Sequence, residues 1–155
     1  MDETAWGTLS DSLKLQSTDT LLIRGGTTSV GLACAALAKS SLFAPDTKPT
    51  VIATTRSEAK APALKAAGVD VVLIDKDNSI AKQVKEATSG KGANKCVELV
   101  GGPTLMDSCV AMTDDGVCSM IGCVSGEWTI KDFDPMTALS PWKVCVLQKE
   151  RVACN

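Results

Sequence analysis

The sequence predicts a single α/β domain in which helices cover both faces of a parallel β-sheet. Short apolar runs without polar alternation, as in strands buried on both faces, alternate along the chain with segments of helical length. This alternation implies right-handed crossovers between neighbouring parallel strands, and hence a doubly wound sheet. With 155 residues, the chain fits one ordinary domain that can bury its core without a metal or disulfide bonds.

The first predicted elements are a lead-in helix, a strand and a buried helix. Apolar side chains at helical spacing predict a one-sided helix over residues 3–15. The apolar run at residues 20–24 predicts the first strand, and the segment 30–39, rich in Ala, Leu, Val and Cys, predicts a helix packed against the sheet. Residues 40–48 are longer than a usual connection, so we expect a surface insertion there.

The next repeat consists of a strand, a helix and a strand. Strands are predicted at residues 50–55 and 71–74, which are rich in β-branched residues. Residues 57–67 have a helical pattern that ends at Gly68, a residue suited to the left-handed end of a helix. Pro62 falls inside this segment, and because proline lacks an amide donor we expect it to kink the helix or delay its start.

The alternation continues to the end of the chain. The predicted helix, strand and helix that follow are residues 79–88, 95–100 and 103–112. Asp115 and Gly116 then predict a turn into a fifth strand at residues 117–121, and residues 143–148 predict a sixth.

Composition and charge favour small-molecule chemistry. The formal net charge is −2 and no basic block occurs, so neither nucleic acid nor an anionic membrane is expected as a partner. No apolar run approaches the roughly 18 residues of a transmembrane helix, and the start of the chain resembles neither a signal peptide nor a transit peptide. We therefore expect a cytoplasmic protein.

Missing residue types exclude several catalytic arrangements. The chain contains no histidine and no tyrosine, which excludes a Ser-His-Asp triad and a Tyr-Lys hydride-transfer pair. Its seven cysteines include no CxxC pair, so we expect no metal site, and most of the thiols are predicted to lie in the core. The sequence alone assigns no catalytic residue.

A glycine-rich loop joins the first predicted strand to the first buried helix, as in a Rossmann-type domain. Such a loop binds pyrophosphate, because free amides and the positive end of the helix dipole face the anion. Measured against the GxGxxG fingerprint, Thr28 stands in the place of the middle glycine. A tight turn that binds nothing would explain the glycines but not the adjacent hydroxyls of Thr27, Thr28 and Ser29. The predicted contact residues are Gly26, Thr27, Thr28, Ser29, Val30 and Gly31.

The end of the second predicted strand selects between cofactors, because it lies beside the adenosine ribose. Thr55, Arg56 and Ser57 stand here, with Lys60 about one helical turn further on. An acidic residue would favour the ribose hydroxyls of NAD, whereas these cations and hydroxyls converge where a 2'-phosphate would lie. The sequence therefore predicts NADP(H), although a solvated basic helix start is an alternative.

Two further loops follow the fourth and fifth predicted strands. Ligand contacts in open α/β sheets lie at the carboxyl ends of the strands, near the point where the strand order reverses. Val100 and Gly101 in the first loop, and Gly122 in the second, would let the backbone approach the nicotinamide half of the cofactor. A plain turn explains each loop equally well.

Several motifs spread over residues 4–134 resemble one family. They are Thr4-Ala5-Trp6-Gly7 with Leu13, residues 19–32, Val51-Ile52-Ala53-Thr54-Thr55-Arg56-Ser57, Glu98-Leu99-Val100-Gly101 and Gly126-Glu127-Trp128. Together they resemble the cofactor-binding domain of the medium-chain dehydrogenases/reductases, specifically the zinc-free, quinone oxidoreductase-like branch. The resemblance implies that the glycine-rich loop holds the pyrophosphate, that Arg56 and Lys60 meet the 2'-phosphate, and that the loops at Val100-Gly101 and Gly122 lie near the nicotinamide ribose.

The sequence departs from that family at both ends. Family members carry an N-terminal substrate domain, whereas we expect residues 1–155 to be a dinucleotide-binding domain alone, with residues 1–18 as its lead-in helix. The tail also diverges after Met136. We therefore expect a truncated NADP(H)-binding domain that would reduce an enone or quinone only when a partner supplies the pocket. The edge strand at residues 143–148 is expected to permit a homodimer, as in the family.

The sequence is also compatible with a second function. A stand-alone Rossmann domain that lost its substrate domain could use the vacated cleft for cofactor-independent isomerisation or cyclisation of an apolar metabolite. Aromatic and acidic residues in the last part of the chain could line such a pocket, although charges that face solvent would look the same in the sequence. These residues are Glu127, Trp128, Asp132, Asp134 and Trp142.

Overall fold

A computed structural model describes residues 3–43, 45–131 and 133, and the backbone of residues 144–147. The strands of this part of the chain form one parallel sheet in the order β3-β2-β1-β4-β5-β6. They are β1 (Thr20–Arg24), β2 (Thr50–Thr55), β3 (Val71–Ile74), β4 (Ala93–Glu98), β5 (Met112–Met120) and β6 (Val144–Leu147). The order reverses between β1 and β4, so the predicted doubly wound Rossmann-type fold is confirmed.

Helices connect the strands and cover both faces of the sheet. They are α1 (Glu3–Gly7), continued by a π-helical turn (Thr8–Ser12), α2 (Ser29–Ala38), a 3₁₀ turn (Glu58–Lys60), α3 (Ala61–Ala66), α4 (Ala81–Ala87) and α5 (Gly102–Val110). Within the described ranges, none of these helices has the length and apolar character needed to cross a bilayer.

Two helices differ from the prediction at their starts. The predicted helix 57–67 is divided: α3 begins at Ala61 with Pro62 in its first turn, where a missing amide donor and a fixed φ are tolerated. The helix predicted over residues 79–88 begins at Ala81, because the Asp107 carboxylate accepts the amides of Ile80 at 2.8 Å and of Ala81 at 3.2 Å. A partner distant in sequence thus sets the start of α4.

The turn predicted at Asp115-Gly116 is wrong, because these residues form an irregularity inside β5. Ala93 pairs with Met112 and Lys95 with Val117, so four residues of β5 bulge out of the pairing between these partners. The preceding helix, predicted to reach residue 112, ends at Val110. The buried Met112 side chain instead starts the strand.

The core lies in two layers, one on each face of the sheet. Neighbouring strand residues point to opposite faces, so that Leu21 and Ile23 pack with α1, α2 and α3, whereas Leu22 packs with α4 and α5. This two-sided burial explains why the strand sequences are apolar without alternation. The cysteines predicted to lie in the core are buried at positions Cys34, Cys96, Cys109 and Cys118.

One large charged side chain interrupts this apolar interior. Arg24, at the end of β1, is fully buried and does not face the glycine-rich loop that it precedes. Its Nε lies 2.8 Å from Asp75 Oδ2, and its Nη1 lies 2.7 Å from Asp107 Oδ2 and 3.2 Å from Ser108 Oγ. Ser108 in turn donates to Glu98 Oε2 at 2.5 Å. The network connects the ends of β1, β3 and β4 to α5.

Replacing Arg24 should destabilise the fold strongly. In Arg24→Met the carboxylates of Asp75 and Asp107 lose their counter-charge, and we expect a loss of about 3–5 kcal/mol in the free energy of unfolding, measured with urea. Lys82→Ala is the matched control, because this side chain is 90% exposed and only 4.0 Å from Glu86; it should change stability by less than about 0.5 kcal/mol. Equal stability of both variants would contradict the role of Arg24.

Candidate functional site

The glycine-rich loop is held against the end of β2 by its backbone. The Gly25 amide donates to Thr54 Oγ1 at 3.1 Å, and the Gly26 amide donates to the Thr54 carbonyl at 3.0 Å. Gly25 has φ +82°, a conformation that side-chain-bearing residues rarely adopt. A Cβ on Gly26 would lie 2.8 Å from that of Ala53. The loop therefore lies directly over the carboxyl ends of β1 and β2.

Thr28 caps the helix that follows this loop. Its backbone is extended (φ −72°, ψ 161°), and its Oγ1 accepts the Gly31 amide at 3.0 Å. The hydroxyl hydrogen of Thr28 is still able to donate to a ligand. The first amides of α2 have no intrahelical acceptor and carry the positive end of the helix dipole.

Gly31 allows the helix to pack closely on its own loop. A Cβ at this position would lie 2.8 Å from the carbonyl oxygens of both Gly25 and Gly26, nearer than real Cβ contacts allow. The third glycine of the fingerprint thus has a packing role here, as in dinucleotide-binding turns.

The chain turns sharply after β2 and presents two cations. Thr55 Oγ1 accepts the Ser57 amide at 3.2 Å, which directs the chain into the 3₁₀ turn. Arg56, which precedes this turn, and Lys60, its last residue, are exposed. Both basic side chains therefore stand at the carboxyl edge of the sheet beside the glycine-rich loop.

A cleft of about 460 Å³ opens along this edge. Its lining residues are Gly25, Thr27, Thr28, Thr54, Thr55, Arg56, Ser57, Lys60, Asp75, Val100, Val124 and Ser125. They follow β1, β2, β3, β4 and β5, so the cleft lies where the strand order reverses. Hydroxyls and cations dominate one part of it, and Val100 and Val124 contribute apolar surface.

Seven of the predicted site residues meet in this cleft, namely Thr27, Thr28, Thr55, Arg56, Ser57, Lys60 and Val100. The others do not line it. Gly26 and Gly31 are buried beneath the loop, Ser29 faces solvent, and Val30 packs against the core. Their predicted contacts with a ligand stay predictions.

Gly101 and Gly122 lie behind the cleft wall. The amides of Val100 and Gly101 donate to Glu98 Oε1 at 2.8 and 3.2 Å, so this carboxylate fixes the turn after β4. Gly101 has φ +116° and lies close to Cys123 and Ser125, whereas Gly122 packs against Leu99. Both glycines permit close packing of the two loops that form the wall.

Burial dominates the electrostatics of Glu98. Loss of hydration raises the pKa of this carboxyl above its ordinary value of 4.5, against the opposing effects of the hydrogen bonds from Ser108 and Val100 and the charge of Arg24. The raised pKa means that the folded chain binds a proton here more tightly than the unfolded chain does.

Five lining residues were not among the predicted contacts: Gly25, Thr54, Asp75, Val124 and Ser125. A signal for Asp75 was present, because it directly follows the third predicted strand, and every such position is a candidate in an open α/β sheet. Ser125 lies too far beyond β5 for that rule. It reaches the cleft because its amide donates to the Val100 carbonyl at 3.0 Å.

The residues considered for a cofactor-independent pocket do not form one in the described part of the chain. Trp128 is 67% exposed, and Glu127 pairs with Lys131 at 3.6 Å on the surface. Asp132, Asp134 and Trp142 lie outside the described residues. Within those residues, no group of three metal-ligating side chains is close enough to hold an ion.

Comparisons with known proteins point to one family. A family model described as zinc-binding dehydrogenase matches residues 29–148. The structure of AibC is similar with a TM-score of 0.81 and 29% identity over 93% of this chain and 38% of AibC. Mycobacterial Rv1454c complexed with NADPH, and a mycobacterial quinone oxidoreductase, each give a TM-score of 0.77 and 28% identity over 95% of this chain and 43% of theirs.

These matches confirm the predicted resemblance to the cofactor-binding domain of quinone oxidoreductase-like proteins. No curated protein sequence matches the chain. The chain spans only 38–43% of the length of the structures named above.

The Gly31 packing leads to a stability prediction. Gly31→Ala should lower the free energy of unfolding by about 1–3 kcal/mol, because the new methyl group would press on two backbone carbonyls that cannot move independently. Gly7→Ala is the control: the added Cβ meets nothing nearer than Asp11 Oδ2 at 4.0 Å, and it should stabilise the helix by about 0.5–1 kcal/mol. Urea unfolding of both variants tests this difference in sign.

The burial of Glu98 leads to a pH prediction. Because the pKa of Glu98 is raised in the folded state, its protonated carboxyl contributes in full to the free energy of unfolding below about pH 4.5. This contribution is lost as the pH rises through the folded-state pKa. Glu98→Gln cannot titrate, so the wild type should lose stability relative to this variant as the pH rises. Urea unfolding of both proteins at several pH values from about pH 4 to about pH 8 measures the difference, and parallel stability curves of the wild type and Glu98→Gln would contradict the prediction.

Proposed function

The chain belongs to the zinc-binding dehydrogenase family, and on that premise we propose that it is the NADP(H)-binding domain of an oxidoreductase. The observation that carries the proposal is the cleft at the carboxyl ends of the strands, which is lined by Arg56 and Lys60 together with Thr27, Thr28 and Ser57. Two cations and several hydroxyl donors suit a ligand with several phosphate groups.

The pyrophosphate fits the start of α2. Thr27 and Thr28 line the cleft there, and the free amides of the ten-residue helix α2 supply donors and a positive dipole end. Thr28 is suited to two roles, because its hydroxyl oxygen caps the helix while its hydroxyl hydrogen is able to donate to the pyrophosphate. Gly26 and Gly31 support the loop through amides that already donate to Thr54 and Thr28. The amides of Ser29 and Val30, in the first turn of α2, are the proposed backbone contacts.

The 2'-phosphate fits between Arg56 and Lys60. Both side chains are exposed cations beside the end of β2, the strand end that lies next to the adenosine ribose in this fold. Ser57 adds a hydroxyl at the same place, whereas the Thr55 hydroxyl donates to the Ser57 carbonyl at 3.3 Å and holds the turn. A guanidinium and an ammonium together favour a phosphate monoester over the neutral 2'-hydroxyl of NADH.

The nicotinamide half would lie towards the loops that follow β4 and β5. Val100, Val124 and Ser125 line this part of the cleft, while Gly101 and Gly122 set the packing of the wall behind them. When bound, the cofactor supplies a hydride for an acceptor such as an enone or a quinone. The chain's own residues would orient the ring and exclude water from one side of it.

The chemistry proposed for this domain needs no zinc. The chain contains no histidine, and the thiols that the structure buries in the core are dispersed over both faces of the sheet. Because the similar structures extend well beyond the matched part, we place the substrate pocket between this domain and further residues supplied by a partner or a longer chain. A homodimer paired through β6 is one such arrangement, since β6 forms the edge of the described sheet.

Calorimetric titration with NADPH and NADH tests the cofactor assignment. The purified chain should bind NADPH more tightly, and Arg56→Ala should weaken NADPH binding by about 1–3 kcal/mol, because a charge-assisted bond to phosphate is lost, with little change for NADH. Lys91→Ala is the matched control, since this exposed lysine precedes β4 at the opposite edge of the sheet. No binding of either nucleotide, or tighter binding of NADH, would refute the assignment.

A further inference from the structure

Glu98, the last residue of β4, is a fully buried carboxylate. Its Oε1 accepts the Val100 and Gly101 amides at 2.8 and 3.2 Å and the Thr104 hydroxyl at 3.0 Å. Its Oε2 accepts the Ser108 hydroxyl at 2.5 Å. Two donors come from the turn after β4 and two from α5, so this one side chain joins the turn to the helix.

The loop after β5 is attached to the same turn. The Val124 amide donates to the Leu99 carbonyl at 2.9 Å, and the Ser125 amide donates to the Val100 carbonyl at 3.0 Å. Val100, Val124 and Ser125 line the cleft, and they form its nicotinamide end, named after the part of the cofactor proposed to lie there. Because these backbone bonds pass any displacement of the turn on to the loop, the nicotinamide end has the Glu98 carboxylate as its common support.

The phosphate-binding end of the cleft is supported by other residues. The glycine-rich loop is bonded to Thr54, near the end of β2, through the amides of Gly25 and Gly26. Thr55 Oγ1 accepts the Ser57 amide at 3.2 Å and thereby shapes the turn that follows β2. A change confined to the turn after β4 should therefore displace the nicotinamide end and leave the phosphate-binding residues in place.

We propose that Glu98 is a positioning residue for the nicotinamide half of the cofactor, which it orients through the turn after β4 without touching the ligand. The inference rests on the proposed NADP(H) site. If Oε1 were lost, two amides of the turn would lose their acceptor, and because a buried amide without an acceptor is costly, the turn would move. The nicotinamide ring would then lose contacts that the adenosine half keeps, since such contacts depend on a wall held at the correct separation.

Calorimetric titration with NADPH and with adenosine 2',5'-bisphosphate, which lacks the nicotinamide half, tests the inference. Wild-type chain should bind NADPH at least about tenfold more tightly than the bisphosphate. Glu98→Met has a side chain of similar length but no acceptor, so the ratio should fall to about two or less, with little change for the bisphosphate. In Glu98→Gln the side-chain carbonyl can still accept the donors of the turn, so the wild-type ratio should return.

Glu86→Met is the matched control, because this exposed glutamate lies near the end of α4, away from the cleft. It should keep the wild-type ratio. Equal weakening of both ligands by Glu98→Met would overturn the inference, because the carboxylate would then support the fold as a whole and not the nicotinamide end. Loss of the ratio in Glu98→Gln would overturn it as well, because an acceptor at Oε1 would not be what holds the turn.

The wild-type measurements separate this inference from the proposed function. Equal affinities of the wild-type chain for the two ligands would overturn the inference but leave the phosphate contacts intact. Failure of the wild type to bind either ligand would refute the proposed function together with the inference.

A second variant covers the case in which Glu98→Met does not fold. Thr104→Val removes one donor to Oε1 and one tie to α5, so the ratio should fall by about twofold or more. Thr113→Val is its control, because the Thr113 hydroxyl donates to Asp115 in the irregular part of β5. An unchanged ratio in Thr104→Val would then overturn the inference.

Discussion

The buried ion pairs of Arg24 are the interaction on which the rest of the structure depends. A guanidinium at the end of the central strand β1 is joined to Asp75 after β3 and to Asp107 on α5, and Asp107 also caps α4 through the Ile80 amide. Breaking a buried pair leaves an uncompensated charge, so each partner constrains the others. The carboxyl edge of the sheet is thereby fixed in one arrangement, and the floor of the cleft lies on it.

At the carboxyl edge of the sheet, above this network, some residues shape the site and others face it. Gly26 and Gly31 allow the backbone of the loop, the sheet and α2 to approach closely, and neither reaches the cleft. Thr28, Arg56 and Lys60 are the side chains that this close packing brings together. A cofactor site of this kind needs both groups, because donors are effective only where the backbone holds them at the correct separation.

Local patterns predicted most of the elements but not where several of them begin and end. The strands 20–24, 50–55 and 71–74 agree with the structure to the residue, because two-sided burial leaves a continuous apolar run in the sequence. The start of α4 depends on Asp107, more than twenty residues away, and the bulge in β5 depends on pairing with β4. Such long-range partners leave no local signal, so a bulge was predicted as a turn.

The sequence by itself determined the alternation of strands and helices, the glycine-rich loop and the basic residues after β2, since each depends on neighbouring residues along the chain. Only the tertiary structure decided which of these side chains share a cleft, that Arg24 faces the interior, and that Asp75, beside the cleft, pairs with Arg24. The physical reason is that burial and ion pairing depend on strand order, which brings together residues 51 positions apart. The residue pattern within a single strand or helix does not predict such a contact.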